Sequence, residues 1–458
     1  INFFSKNLSL FLINFMGHVS KKNYIKMHKK EIVDYIVKNI RDIKIGGSKE
    51  FLRKIKTLAK DERIRNLFLI TPILPLILII RIIRPYKIIR FGVICGHRIG
   101  HFAGHTQIYL CNRDVGKFDK KTFDIFYIST PFCNNQLKIM WQRILPISNY
   151  VKYLNRVNTF LPGYKKHQVP ITSMDDRNYE TRKEFVQTVD RDIENFLVNS
   201  PPHLSFTEEE ERFGKNRLKE MNIPDNAPFF CFIGRDSAYL KTVYPNQNMD
   251  YHNYRDMDIK GFIPSVNKLT ERGYFAIRMG KNVQEKLEID NAKFINYANK
   301  FRTDFMDIYL CEKCRFFISG NTGLEGVSMS VFRRPTVVVN FVPISLIRGW
   351  NENALYIFKK HWLIEEQRFL SISEIVQSEI GTFSTTDQYI KAGIGLIDNS
   401  PEEIKTVSIE MDERLQGTWV TNEEDEEMQL RFKSLFKPNN KNSIIKCRVG
   451  RDFLRENL

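Results

Sequence analysis

The sequence predicts an α/β protein with two Rossmann-like domains and a basic, apolar N-terminal segment. Its 458 residues exceed what one hydrophobic core usually organises. Short β-rich runs alternate with helical stretches, as expected when helices cover a parallel sheet. Positive charge is concentrated near the N terminus. We therefore expect four regions, namely the N-terminal segment 1–88, the Rossmann-like domains 89–222 and 223–400, and a helical extension 401–458.

The N-terminal segment combines basic charge with the most apolar run of the chain. Residues 1–90 hold 20 Lys and Arg against 6 Asp and Glu, whereas the remaining residues hold 50 against 47. The run Leu67–Ile80 contains Pro72 and Pro75 and is shorter than the ~20 apolar residues that a spanning helix needs. Because Lys and Arg flank this run, we expect it to contact an anionic membrane surface without crossing the bilayer. We expect the amphipathic stretch Ile1–Phe15 to lie on the same membrane surface. The alternative for both stretches is that they pack against the first domain.

Cysteine usage and charge also bear on compartment and partners. The seven cysteines are scattered, and their odd number in a long chain argues against a disulfide framework and favours a reducing cytoplasm. Cys311 and Cys314 form one CxxC, but no second pair or histidine follows nearby in sequence, so we predict a helix end entering a strand and no zinc site. A nucleic-acid-binding protein would carry its basic patch on the folded domain, and near neutrality beyond residue 90 argues against that partner.

Strand signals are clearest in the second half. Continuous apolar runs recur with helical stretches between them, as expected of buried parallel strands. These predicted strands are Phe229–Gly234, Tyr274–Met279, Lys293–Asn296, Arg315–Ser319 and Thr336–Asn340. A last strand, Gly395–Asp398, precedes a helix that Ser400 and Pro401 open. In the first half, Arg90–Cys95 and Asp124–Ser129 carry the strand signal.

The loop after the Arg315–Ser319 strand is the first candidate site. In open α/β sheets, ligands bind beyond the carboxyl ends of the strands. This loop is rich in glycine and hydroxyl residues and leads into a predicted helix, so its N–H groups would bind phosphate, while Glu325 would accept hydrogen bonds from a ribose. The alternative is an ordinary Ser or Thr N-cap with glycines that serve packing. The candidate binding residues are Ser319, Gly320, Asn321, Thr322, Gly323 and Glu325.

Two other strand ends in this half carry arginines. Gly234, Arg235 and Asp236 end the Phe229–Gly234 strand, where the guanidinium fork suits phosphate and Asp236 would orient it. Arg278 and Gly280 lie at the end of the Tyr274–Met279 strand. We predict ligand contact at both ends; the alternative is that each arginine forms a surface ion pair.

Histidines cluster after the Arg90–Cys95 strand. His97, His101 and His105 are spaced by four residues, and histidine is the best-matched general base near neutral pH. We assign His101, with neighbouring Arg98, to the catalytic step. A structural role is the alternative, and because no carboxylate is adjacent in sequence, we predict no metal site.

The chain resembles a family of bacterial surface-polysaccharide glycosyltransferases over most of residues 65–400. The segments that carry the resemblance are RIIRP, RIGHFAGHTQIYL, DIFYIS with NNQLKIMW, GRDSAYL, YRDMDI with GYFAIRMGK, SGNTGLEGVSMSVFRRPTVVVN and TTDQYIKAGIGLIDNSPEEI. The usual RIGHLA of the family has Phe102 in place of Leu here. The resemblance implies a GT-B fold, in which two Rossmann-like domains face a cleft, and sugar transfer in surface-glycan assembly. It supplies no catalytic residues, so the site assignments rest on the strand exits.

These expectations combine into one functional hypothesis. Domain 223–400 binds a nucleotide-sugar donor, domain 89–222 binds a glycan or lipid-linked acceptor, and His101 deprotonates the acceptor hydroxyl. We expect hexosyl or related transfer without cofactor or metal, at the cytoplasmic face of the cell membrane. Asp256-Met257-Asp258 has the DxD form of metal-dependent glycosyltransferases, but Asp258 is placed to start a helix.

Two other functional classes fit parts of the sequence. A nucleotide-sugar epimerase or hydrolase uses the same two-domain layout, although a soluble enzyme of that kind has no use for a membrane segment. A non-catalytic membrane scaffold or nucleic-acid binder is the second alternative. Binding of a nucleotide sugar separates the enzyme classes from the scaffold.

Overall fold

The computed structural model describes residues 62–169, 196–238, 242, 248–281, 283, 285–436 and 445–458. The predicted amphipathic stretch Ile1–Phe15 lies outside these residues. The chain divides into two compact units. The first comprises Ile1–Val93, Asp119–Ile128 and Leu145–Ser173, and the second comprises Ile94–Phe118, Ser129–Ile144 and Met174–Leu458.

Helices and strands alternate through most of the described residues. The strands are β1 Ile88–Ile94, β2 Thr122–Ile128, β3 Phe229–Ile233, β4 Phe275–Arg278, β5 Phe294–Ile295, β6 Phe317–Ser319, β7 Thr336–Phe341, β8 Ala354–Phe358, β9 Lys360–Leu363, β10 Arg368–Phe369, β11 Ile394–Ile397 and β12 Arg448–Val449. The α-helices are α1 Glu62–Ile82, α2 Ile99–Asp114, α3 Asn135–Ile144, α4 Val151–Thr159, α5 Phe196–Asn199, α6 Glu208–Glu220, α7 Ile263–Glu271, α8 Tyr297–Lys300, α9 Asp304–Lys313, α10 Ile372–Gln377, α11 Thr386–Lys391, α12 Pro401–Gln416, α13 Glu423–Ser434 and α14 Arg451–Asn457. Short 3-10 helices cover Tyr164–His167, Asp250–Arg255, Ile259–Phe262, Ile344–Leu346 and Glu379–Thr382, and Gly326–Val331 is π-helical.

In the first unit, helix α1 packs beside the two-stranded sheet of β1 and β2. Ile77 and Ile80 are buried with residues of β1 and α4, so one face of the apolar run packs as the alternative interpretation expected. Leu76, Ile79 and Ile82 on α1 remain exposed. Within the part of the chain that the structure describes, no helix is long and apolar enough to cross a membrane.

The second unit is built on a seven-stranded parallel sheet in the order β12-β8-β7-β6-β3-β4-β5. Residues of β3, β6, β7 and β8 are buried throughout, which explains their unbroken apolar sequences. The five strands predicted as parallel neighbours are confirmed as β3 to β7. β8 and β12 were not predicted from the sequence. β12 belongs to the C-terminal region, between helices α13 and α14, and pairs with β8.

The strand predicted at Gly395–Asp398 has a different role from the one expected. It forms β11, which pairs antiparallel with β9 in a separate three-stranded sheet instead of extending the parallel series. β9 and β10 form an antiparallel pair, and β11 adds to the free edge of β9. The helix predicted after it is present as α12, with Ser400 as its N-cap.

Candidate functional site

The strand order of the parallel sheet creates a topological switch point between β3 and β6. From β3 the chain continues to β4 and β5 on one side of the sheet, then crosses back to β6, β7 and β8 on the other side. The loops after β3 and β6 therefore diverge from neighbouring strand ends. This is where open α/β sheets bind ligands.

The loop after β6 is held tightly against its neighbours. The Gly320 N–H donates to the Ile233 carbonyl of β3 at 2.8 Å, and a Cβ on Gly320 would overlap the Met257 side chain. Asn321 has a left-handed φ of 55°, and its Nδ2 donates to the Val342 carbonyl after β7 at 2.6 Å. The backbone of this loop is thus fixed by β3 on one side and by the end of β7 on the other.

Ser319 and Thr322 support the turn from inside. The Thr322 N–H donates to Ser319 Oγ at 3.3 Å, and the two hydroxyl oxygens lie 3.2 Å apart. The predicted helix after this loop is only the six-residue π-helical segment Gly326–Val331. So short a segment has a small dipole, and phosphate binding by the backbone N–H groups of this loop stays a prediction.

A longer helix approaches the same loop. Helix α2 begins at Ile99, and a Cβ on Gly100 would lie 3.1 Å from the backbone of Gly323. The N-cap of α2 is Arg98, whose side chain forms no capping hydrogen bond. The loop Ser319–Gly323 therefore lies beside the N terminus of a 16-residue helix, which carries the partial positive charge that the π-helical segment lacks.

Arginines at the switch point add full positive charge. Arg255 Nη2 donates to the carbonyl and the Oδ1 of Asn321, at 3.1 and 2.9 Å. Arg235 follows β3, and its Nε lies 3.5 Å from Asp256 Oδ1. Burial and the nearby charges of Arg255 and Arg98 lower the pKa of Arg235 to about 10, despite the opposing effect of Asp256. Arg98 therefore lies near Arg235 at this edge of the sheet, and ligand binding by these residues stays a prediction.

The end of β4 lies one strand further along the sheet. Arg278 is 2% exposed, its Nη2 donates to the Glu285 carbonyl at 2.6 Å, and burial lowers its pKa. Gly280 has a φ of 148°, a conformation that L side chains rarely adopt. Asp236 Oδ1 accepts the Ala238 N–H at 2.9 Å, which shapes the turn after Gly234. Arg278 is therefore buried and does not form the surface ion pair of the alternative interpretation.

The histidines do not form one group. Helix α2 starts after His97, whose ring lies near Cys95 and Ser129. His101 is in the first turn of α2, and its ring packs edge-on against buried His105 with 4.5 Å between centroids. The described residues contain no group of His, Cys, Asp and Glu side chains that could hold a metal ion.

Glu325 occupies a different environment from the one expected. Its side chain is 1% exposed, and its carboxylate, which was predicted to accept hydrogen bonds from a ribose, forms an ion pair with Arg348. Asp258 Oδ1 accepts the Lys260 N–H at 2.8 Å, so it caps a 3-10 turn as predicted. Cys311 lies in the last turn of α9 and Cys314 directly follows that helix before β6; both are buried, as the helix-to-strand interpretation expected.

Arg255 is the residue at this site that sequence reasoning missed. It ends the 3-10 helix Asp250–Arg255 and does not directly follow a strand, so it was not among the residues predicted at the strand ends. Its one signal in the sequence is its place in YRDMDI, a segment that carries the family resemblance. Its contact with Asn321 depends on tertiary packing, which the sequence does not display.

No protein-family model and no curated protein sequence matches the chain. Among solved structures, the chain is similar to the Escherichia coli ADP-heptose lipopolysaccharide heptosyltransferase II, with 12% identity, a TM-score of 0.35, and coverage of 59% of this chain and 90% of that one. It is also similar to a family 9 glycosyl transferase from Veillonella parvula, with 12% identity, a TM-score of 0.35, and coverage of 60% and 86%. At such low TM-scores, neither similarity carries an argument about this chain.

The contact between α2 and the loop after β6 is testable with two glycines of the same helix. We expect the free energy of unfolding of Gly100→Ala to be about 1–3 kcal/mol below that of Gly104→Ala, because the Cβ added at Gly100 lies 3.1 Å from the backbone of Gly323. Gly104 has open space around it, so Gly104→Ala is the matched control and should raise stability by about 0.5–1 kcal/mol. Urea denaturation followed by circular dichroism measures both; equal stability of the two variants would contradict the close approach.

Proposed function

We propose that this chain is a glycosyltransferase of GT-B type that transfers a sugar from a nucleotide-activated donor to a cell-surface glycan or lipid-linked acceptor. The observation that carries the proposal is the cluster of Arg98, Arg235 and Arg255 around the loop Ser319–Gly323, beside the N terminus of α2. Positive charge at a switch point suits the diphosphate of such a donor. The family resemblance of the sequence supports the same reaction.

The diphosphate would lie against the loop after β6. The guanidinium groups of Arg235 and Arg255 would bind its oxygens, and Thr322 and Gly323 would supply the backbone. Transfer leaves negative charge on the departing diphosphate, so cations already fixed in place stabilise the transition state more than the ground state. Fixed arginines make a divalent cation unnecessary for this role, and we propose metal-independent transfer.

His101 is the proposed general base. It belongs to the first turn of α2, three residues from Arg98. The acceptor hydroxyl oxygen would form a bond to the anomeric carbon as the bond from that carbon to the diphosphate oxygen breaks, and His101 would take the hydroxyl proton. This displacement inverts the anomeric centre. Placement of acceptor and donor in two domains that face a cleft, 89–222 and 223–400, is part of the proposal.

The anionic face of the cell membrane is the proposed location of the acceptor. Leu76, Ile79 and Ile82 on α1 are 47, 55 and 73% exposed, next to exposed Arg84 and Lys87. An apolar helix face flanked by cations is the composition that interfacial helices use on anionic lipid. Contact at this face would hold the chain on the cytoplasmic side, where nucleotide sugars are available.

Donor binding is the first test of the proposal. We expect one of UDP-, GDP-, CDP- or ADP-linked sugars, each of which carries a diphosphate, to raise the melting temperature of the full chain. Arg235→Met should weaken this binding by about tenfold or more, since a hydrogen bond to a charged group contributes about 1.5–3 kcal/mol. The measurement is a thermal shift series followed by calorimetry.

The control for that variant is Arg272→Met. Arg272 precedes β4 at the amino edge of the sheet and is ion-paired with Asp412 and Glu413, so it should affect stability and leave donor affinity unchanged. If no nucleotide sugar binds the wild-type chain, the non-catalytic scaffold replaces the transferase. Donor cleavage without transfer to any acceptor would indicate the hydrolase alternative.

Substitution of the proposed base separates catalysis from binding. His101→Asn should reduce kcat by about 10²–10⁴-fold, the range for loss of a general base, while the donor dissociation constant stays within about twofold. The readout is release of the nucleoside diphosphate in the presence of membrane extract as the acceptor source. A variant with full kcat would show that another group removes the proton.

Membrane contact is tested with vesicles that contain phosphatidylglycerol. The double substitution Ile79→Ser and Ile82→Ser should weaken co-sedimentation about tenfold or more, because each buried apolar side chain contributes about 1.5–3 kcal/mol. Ile390→Ser and Leu430→Ser form the control, since these side chains are 67 and 65% exposed on α11 and α13. Equal loss in both double variants would contradict a specific role for α1.

A further inference from the structure

A short segment, residues 255–258, joins the arginine-bearing loops of the switch point. The Arg255 guanidinium group, at its start, donates to the loop after β6. The Met257 N–H donates to the Arg235 carbonyl after β3 at 3.0 Å, and Asp256 Oδ1 lies 3.5 Å from Arg235 Nε. The position of this segment therefore determines where both arginines lie.

The buried side chain of Lys359 holds the middle of this segment. Lys359 directly follows β8 and is 4% exposed. Its Nζ donates to the Asp256 carbonyl at 2.6 Å and forms an ion pair with Asp398 Oδ1 at 2.7 Å. A buried ammonium group that loses its partners is strongly destabilising, so these two contacts fix the place of the side chain.

Asp398 attaches the far end of the same segment. It directly follows β11, and its second carboxylate oxygen, Oδ2, accepts the Asp258 N–H at 3.3 Å. One carboxylate therefore contacts both the Lys359 ammonium group and the backbone at the end of the segment. Asn340 of β7 adds a contact between its Nδ2 and Met257 Sδ at 3.6 Å. The segment is thus anchored to β7 and to the residues that follow β8 and β11.

The contacts of Lys359 indicate an indirect role. Both acceptors of its ammonium group belong to the protein, and almost none of its surface reaches solvent. Stability alone does not call for a lysine here, because replacing a buried ion pair with apolar side chains of similar volume is often neutral or stabilising. What an apolar side chain cannot supply is a directed hydrogen bond to the Asp256 carbonyl. That bond fixes the backbone between Arg255 and the residue that contacts Arg235.

We propose that Lys359 is a positioning residue for donor binding. Through the Asp256 carbonyl it keeps Arg255 and Arg235 at the spacing that a diphosphate requires, and Asp398 keeps the ammonium group in place. The inference rests on the proposed glycosyltransferase function and adds to it a residue that contacts no ligand. It also gives the three-stranded sheet a role, because Asp398 follows the edge strand β11.

The test is calorimetric titration of the full chain with inorganic pyrophosphate and with UDP, CDP, GDP and ADP. We expect Lys359→Met to weaken the binding of pyrophosphate, and of every nucleotide that the wild type binds, about tenfold or more, because the hydrogen bonds from Arg235 and Arg255 lose their alignment. Lys360→Met is the matched control. It removes the same charge from the next residue, which is ion-paired with Glu403 at 3.0 Å, and should change these affinities by less than about twofold.

A double-mutant cycle separates positioning from a general loss of stability. If Lys359 acts through Arg255, the loss of pyrophosphate affinity in the double variant Lys359→Met, Arg255→Met should be at least about threefold smaller than the product of the two single losses. Asp398→Asn is the milder variant if Lys359→Met does not fold, since the Asp398 side chain is 37% exposed. An amide offers one acceptor oxygen in place of two, so this variant should weaken pyrophosphate binding about threefold or more.

The outcomes distinguish the inference from the function on which it rests. The melting temperature of each unliganded variant reports whether it is folded. A folded Lys359→Met chain with wild-type affinity, an equal loss in Lys360→Met, or a loss that simply multiplies with that of Arg255→Met would overturn the positioning role and leave the transferase standing. Unchanged affinity in Asp398→Asn would do the same. Failure of pyrophosphate and of all four nucleotides to bind the wild-type chain would overturn both.

Discussion

The parallel pairing of β3 with β6 is the constraint on which the candidate site depends. Phe232 pairs with Ile318 and Ile233 with Ser319, so the two strands end side by side although their last members are 86 positions apart in the sequence. Both strands are buried throughout, as expected of strands in the middle of a parallel sheet. Once the pairing is made, the loops carrying Arg235 and Thr322 must start from adjacent points on the same edge.

The electrostatic consequence is a concentration of positive charge around Arg235. Arg235 is largely buried, next to Arg255 and Arg98, with Asp256 as the neighbouring carboxylate. Like charges held together in a low-dielectric environment disfavour the folded state, and a bound anion relieves the repulsion. The N terminus of helix α2 adds partial positive charge. It approaches the loop closely because neither Gly100 nor Gly323 has a side chain. A polyanionic ligand would relieve this repulsion, which is why the proposed function places the donor diphosphate here.

Much of this arrangement was predictable from local sequence. Continuous apolar runs located β3 to β7, and the glycine and arginine residues after those runs predicted a candidate site at the carboxyl edge of the sheet. The parts that were not predictable depend on tertiary pairing. The sequence of β11 reads like the other strands, but the free edge of β9 places it in an antiparallel sheet. Arg255 and the approach of α2 likewise follow from packing between distant segments, and burial with Arg348, not strand position, decides the environment of Glu325.

The most direct test of the central claim is a crystal structure of the full chain with the nucleoside diphosphate that most raises its melting temperature. The account predicts density for the diphosphate at the carboxyl edge between β3 and β6, with phosphate oxygens within hydrogen-bond distance of the Arg235 and Arg255 guanidinium groups and of the Thr322 or Gly323 backbone. A nucleotide bound at the amino edge of the sheet, or away from these arginines, would contradict it.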